Sequence, residues 1–114
     1  MIENKNFSWG RLERFIPTDG EVIKNCNLAQ MYPNTVIAEG VTGLTFENCI
    51  LINCVVPADA VIVGGTNAAI SYCGHIHEGF TCAENCEHVI SSEDIIIDGV
   101  TIDTIYQYKD TVVI

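Results

Sequence analysis

Between residues 21 and 77 the chain can be written in fives, and this periodicity limits its fold more than any other feature. Residues 21–40 read EVIKN, CNLAQ, MYPNT, VIAEG. After Val41-Thr42-Gly43, residues 44–63 read LTFEN, CILIN, CVVPA, DAVIV; after Gly64 to Asn67, residues 68–77 read AAISY, CGHIH. The first place often holds a small or apolar residue: Cys26, Met31, Val36, Leu44, Cys49, Cys54, Ala68, Cys73. The third place runs Ile23, Leu28, Pro33, Ala38, then Phe46, Leu51, Val56, Val61, then Ile70 and His75. First and third residues of an extended segment share a face, because side chains alternate. Two inward residues per five, with a bend between them, describe a narrow solenoid with flat sides. An amphipathic helix needs apolar residues at spacings of three and four, which the fives do not sustain.

A longer period agrees. Cys26, Cys49 and Cys73 are separated by 23 and then 24 residues, Ile23, Phe46 and Ile70 precede them at one offset, and Asn25 and Asn48 precede the first two. Each coil is then four fives, with the short skips bulging at a corner. Gly40, Gly43, Gly64 and Gly65 supply the freedom corners need. The asparagines are expected to stack as a ladder, each amide bonding the next coil. Coils of this kind stabilise one another by stacking.

The stretch LTFEN-CILIN-CVVPA resembles the pentapeptide-repeat proteins, whose units carry a small residue, any residue, then Leu or Phe. The resemblance spans residues 21–77, about half the chain. It implies a right-handed, four-sided β-helix. The skips, and Pro33 and Ala38 at central places, depart from the pattern, so a generic right-handed parallel β-helix describes it nearly as well. Some pentapeptide-repeat proteins are acidic DNA mimics, and the resemblance implies that role here. FIPTDGEVI, VTGLTFENC and CAENCEHV also resemble segments of small bacteriophage and prophage proteins. The expectation is an all-β single domain: an N-terminal cap over residues 1–19, a short right-handed β-solenoid of two to three coils over 20–77, a Cys/His loop over 78–92, and C-terminal strands over 93–114.

Both ends of a short stack need covering. Asn6-Phe7-Ser8-Trp9 and Phe15-Ile16-Pro17 offer apolar mass for the first cap, with Trp9 read as core or cap. At the other end, Ile95-Ile96-Ile97, Asp98-Gly99 and Val100-Thr101-Ile102 carry a hairpin signal. Read as IIIDG-VTIDT, the same residues fit a solenoid corner. Thr111-Val112-Val113-Ile114 is apolar to the last residue, and a second copy in a dimer or trimer is an expected cover.

Chemistry concentrates in Cys73 to His88, CGHIHEGFTCAENCEH. His75 and His77 share a face on a strand, and Cys82 and Cys86 share one on a helix. Two converging pairs form a tetrahedral structural Zn²⁺ site of His75, His77, Cys82 and Cys86. His88 is the reserve ligand, Cys73 is read as core, and Glu78, Glu84 and Glu87 are candidate acceptors for the imidazole N–H groups. No Cys-x2-Cys knuckle is present, so ordinary buried thiols and surface histidines are the competing reading. Cys26, Cys49 and Cys54 are expected to be buried, inert core thiols.

Charge decides which partners are expected. The chain carries a net −10, and residues 25–108 hold ten acids and no Lys or Arg. Such a surface repels nucleic acid and attracts a basic protein. Acidity that serves solubility alone is the bland alternative. No stretch has the roughly 20 apolar residues of a membrane helix, and no signal peptide is visible, so a cytoplasmic location is expected, that of a host if the chain is phage-encoded. Phosphate loop, serine elbow and His-Glu-x-x-His run are all missing, and the paired acids Glu93-Asp94 and Asp98 with Asp103 read as a solvated edge. The leading expectation is therefore a non-enzymatic acidic interaction protein, inhibiting a DNA-handling or defence protein of a host. The alternatives are a virion component, such as a tail-spike or baseplate module, and a catalytic metalloprotein with an open coordination position.

Overall fold

A computed structural model of the 114-residue chain describes residues 1–8, 10–29, 36–70, 76–78, 81–82, 86–89, 96–97 and 100–101. From residue 68 onward it describes the backbone, with side chains at Cys86 and Glu87. Among the described residues there is no helix, and the regular elements are short strands, mostly in parallel sheets.

Short β-branched and aromatic triplets build the first sheet. In Val22-Ile23-Lys24, Thr45-Phe46-Glu47 and Val61-Ile62-Val63 the middle residue is buried and its neighbours are half-buried, as strand alternation requires. This sheet holds β1 (Ile2–Glu3), β2 (Val22–Lys24), β3 (Thr45–Glu47), β6 (Val61–Val63) and β10 (Glu87–Val89), all parallel. Its register puts Ile2, Ile23, Phe46, Ile62 and His88 in one row. Parallel neighbours need a crossover. Here the crossovers are themselves strands of two further sheets. In the second sheet, β4 (Ile50–Ile52) pairs parallel with β7 (Thr66–Ile70), and parallel bridges join Asn6 to Asn27 and Asn27 to Ile50. In the third, β5 (Val55–Val56) pairs parallel with β9 (Thr81–Cys82), and Val36 bridges Val55. Ile23, Leu28, Phe46, Leu51, Val56 and Ile62 form one buried cluster between the sheets, each burial contributing about 1.5–3 kcal/mol.

Corners recur with one chemistry. Asn25, Asn48 and Asn53 take left-handed backbone with φ of 53°, 52° and 54°, a conformation asparagine tolerates better than most residues. Asn48 Nδ2 donates to Asn25 Oδ1 at 3.0 Å, so the expected amide ladder is present between these two. One pass later Gly64 and Gly65 stand where Asn48 and Cys49 stood. Gly65 lies against the Cys49 backbone, where a Cβ would come within 2.7 Å of the Cys49 nitrogen and closer still to its carbonyl oxygen.

Several details depart from the fives. Phe46 is followed in its row by Ile62, 16 residues on, and Ile70 is not in that row. Between Phe46 and Ile62 the expected coil of four fives is therefore three sides, and DAVIV supplies the next strand of the row. The turn in which Ala60 N donates to Pro57 O takes one extra residue, so Ala60 and Ile62 face inward and Val61 does not. Ile37 is buried in place of Ala38, whose φ is 52°. The expected third coil over residues 68–77 is also different. β7 runs parallel to β4, but β8 (Ile76–Glu78) turns back antiparallel to β7, pairing Ile70 with Ile76. At the start, Ile2, Glu3 and Asn6 belong to the sheets, so the cap expected over residues 1–19 is reduced to the segment after Phe7. Within it Phe15 packs on Phe7 and Phe46, with ring centroids 5.2 and 6.3 Å away. Trp9, Met31 and Pro33 lie outside the described residues. At the far end, β11 (Ile96–Ile97) and β12 (Val100–Thr101) pair antiparallel, which is the hairpin and not the corner.

Candidate functional site

The three Asn-Cys corners place three thiols inside the stack. Each sulfur donates to the carbonyl two residues earlier, Cys26 to Lys24 O at 3.3 Å, Cys49 to Glu47 O at 3.5 Å and Cys54 to Ile52 O at 3.4 Å. Each also reaches a carbonyl of the preceding pass: Ile2 O at 3.8 Å, Ile23 O at 3.3 Å and Leu28 O at 2.8 Å respectively. All three are buried and outside any disulfide, as expected of core cysteines. Burial pushes the Cys49 thiol well above its ordinary value. The Cys26 thiol is instead held below its ordinary value. The Cys49 thiol bonds to its sulfur and lowers it, and the Lys5 backbone and charge act in the same direction.

The residues expected to hold zinc are distributed over different sheets. His77 is in β8, opposite Ala69 in the second sheet. Cys82 is in β9, opposite Val56 in the third. The reserve residue His88 is in β10, opposite Ile62 in the first. His75 and Cys73 lie outside the described residues. Cys86 precedes β10, packs half-buried against the core, and is disulfide-bonded. That bond differs from the expected free thiol, and a sulfur held in it offers no thiolate to a metal. Among the described residues no group of three or more His, Cys, Asp or Glu side chains could hold a metal ion.

Surface charge is divided along the stack. Residues 1–24 contain four acids and four bases, while residues 25–114 contain eleven acids and Lys109. The net −10 therefore belongs to residues 25–114 of the sequence. Two of the four bases of the first segment have acidic partners: Lys5 pairs with Glu13 at 3.4 Å and Lys24 with Glu47 at 3.7 Å. The Met1 ammonium pairs with Glu21 at 2.8 Å and is the main cause that holds this carboxyl below its ordinary value. Farther along, Glu39, Asp59 and Glu87 are exposed. Asp19 and Asp59 also organise a corner, accepting from the backbone N–H groups of Thr42 at 2.9 Å and Gly43 at 2.8 Å. The concentration of acid was legible in the sequence. The neutrality of the first pass shows only once Ile2–Glu3 and Asn6 are seen to be part of the stack.

Among the described residues no helix is long and apolar enough to cross a membrane. No family model, curated protein or solved structure matches the chain.

Proposed function

We propose that the parallel passes form a short right-handed β-solenoid, and that its acidic later passes are a non-enzymatic docking surface for a basic protein. The carrying observation is the run of residues 25–108, with ten acids and no Lys or Arg. Three features support the solenoid: the row Ile2–Ile23–Phe46–Ile62, the asparagine ladder, and crossovers that are themselves strands. Exposed acids such as Glu39, Asp59 and Glu87 lie on this part of the chain, and uncompensated charge of one sign acts on a partner over about one Debye length, about 8 Å at physiological salt. Such a face steers encounter with a cationic surface and is weakened by salt. Inhibition of a DNA-handling or defence protein is the concrete form, since such proteins carry basic clefts for phosphates.

The test is capture from a lysate of the source cell by the tagged full chain, at low and at high salt. It is repeated with the variant Glu39→Lys/Asp59→Lys/Glu87→Lys, altered at exposed acids. The expected result is one or a few basic proteins, retained at low salt and lost at high salt and with the variant. Capture unchanged by salt or by charge reversal contradicts the proposal.

A further inference from the structure

Cys26 and Cys49 stand opposite one another on adjacent passes. The pairs Lys24–Glu47 and Asn27–Ile50 flank them on either side in the same register. Lys5 stands next to Cys26 in the same way, between the pairs Glu3–Lys24 and Asn6–Asn27. Gly65 stands next to Cys49 and lies on its backbone. One row through this corner therefore runs Lys5, Cys26, Cys49, Gly65. It holds two thiols as neighbours, with a base on the side of the edge strand and a glycine on the other. Parallel strands lie about 4.8 Å apart, inside the Cα separation of about 4.4–6.8 Å that a disulfide spans. The two side chains already interact, the Cys49 thiol bonding to the Cys26 sulfur.

We propose that Cys26 and Cys49 are a redox pair, closed to a disulfide by a peroxide and reopened by a thiol, which fastens the pass begun by β2 to the pass begun by β3. Their surroundings assign the two roles. The bond from Cys49, the Lys5 backbone and the Lys5 charge all favour the Cys26 thiolate, and the thiolate is the nucleophile. Burial keeps Cys49 protonated, as the resolving thiol. The Cys26 thiolate attacks one peroxide oxygen and the O–O bond breaks. The leaving hydroxide takes up the proton that Cys26 released and becomes water. Cys26 is then a sulfenic acid, oxidised by two electrons. The Cys49 sulfur attacks the Cys26 sulfur; the S–S bond forms, the S–O bond breaks, and the hydroxide leaves as water with the Cys49 proton. Two thiols and one hydrogen peroxide give one disulfide and two waters. Both thiols are buried, so access is through the first pass. There β1 is two residues long and has β2 as its one neighbour in the sheet. Short terminal elements open locally before the core does, and hydrogen peroxide is small enough to enter such an opening. Neither thiol is at the surface, so the pair works whether or not a basic protein docks.

The test is treatment of the folded full chain, purified without reductant, with a small excess of hydrogen peroxide, followed by mass measurement of its peptides. The expected result is a loss of two hydrogens and a cross-linked peptide joining Cys26 to Cys49, which dithiothreitol reopens. The urea midpoint should rise on oxidation, because a bond between these residues restricts the unfolded chain. Cys49→Ser should stop at the Cys26 sulfenic acid, which dimedone traps. Cys26→Ser should give neither product, and Cys54→Ser should behave as the wild type. Circular dichroism checks that each variant folds, and the wild-type peptide map decides the matter where one does not. Cys26 and Cys49 that stay reduced in peroxide, or that join only after unfolding in urea, overturn the proposal. Dimedone found on Cys49 in Cys26→Ser, with none on Cys26 in Cys49→Ser, overturns the assignment of roles.

Discussion

The Asn-Cys pair is the chain's unit of turning. At 25–26, 48–49 and 53–54 the asparagine adopts a positive φ near 53°, and the cysteine behind it turns inward, its one S–H within reach of two carbonyls. Recurrence at the first two places was readable in the sequence. The left-handed backbone was not, because asparagine is common in many loop conformations. Asn48 combines both duties, so two substitutions separate them. Asn48→Gly keeps the backbone and loses the amide bond to Asn25, at about 1 kcal/mol. Asn48→Ala loses the bond and also strains the left-handed residue, for about 2–3 kcal/mol in all. Urea unfolding of both variants checks this, and equal losses would mean that φ at this corner carries no strain. Gly65→Ala is expected to be worse than either, because its Cβ meets backbone atoms of Cys49 and cannot be accommodated by a side-chain rotation. A second residue-scale expectation concerns Glu21, whose carboxyl sits below its ordinary value of 4.5 beside the Met1 ammonium. A depressed folded pKa makes the group bind its proton less readily in the folded chain than in the unfolded one. Its stabilisation is therefore present above the ordinary value and is lost as the pH falls through the folded pKa. Glu21→Gln should flatten the acid side of the stability–pH curve, and an unchanged curve in a titration of unfolding midpoints would count against the ion pair.

Strands and turns show where counting in fives succeeds and where it stops. LTFEN-CILIN-CVVPA places Phe46, Leu51 and Val56 correctly in the core, because no extra residue interrupts it. The count cannot say how many sides a pass has, since every side repeats the same inward pattern. Nor can it sense the additional residue at Pro57–Ala60, which moves burial from Val61 to Ile62. Residues 2–7, IENKNF, align with IKNCNL at 23–28 and FENCIL at 46–51. They lack a cysteine at the fourth aligned position, where Lys5 stands, and so resembled a cap more than a pass. The Asp98-Gly99 signal was reliable, because a two-residue connection between β-formers constrains the chain locally. The phase of β6 is tested by a pair of neighbours. Ile62→Ala is expected to cost about 2–5 kcal/mol, as buried aliphatic truncations do, and half-buried Val61→Ala about 1 or less. Phe46→Ala, which empties the centre of the row and frees Phe15, should cost about 3–5 kcal/mol. A larger loss at Val61 than at Ile62 in the same unfolding experiment would restore the four-sided count.

At the scale of the whole molecule, residues 1–24 hold four acids and four bases, and residues 25–114 hold eleven acids and Lys109. Met1, Leu12 and Ile16 are exposed, and β1 is the last strand of its sheet. Composition alone shows the net charge but not that residues 2–7 stack directly on residues 23–28. The proposed docking of a basic partner rests on that stacking. The histidine and cysteine cluster was legible in the sequence; the backbones of His77, Cys82 and His88 belong to different sheets, and His75 and Cys73 lie outside the described residues. The most direct test of the stacking is an NMR experiment that detects couplings across backbone hydrogen bonds in the isotope-labelled full chain. The account predicts that the Ile50 amide couples to the Cys26 carbonyl, and the Val61 amide to the Leu44 carbonyl. Amides of Ile50 and Val61 coupled to other strands, or to none, would contradict it.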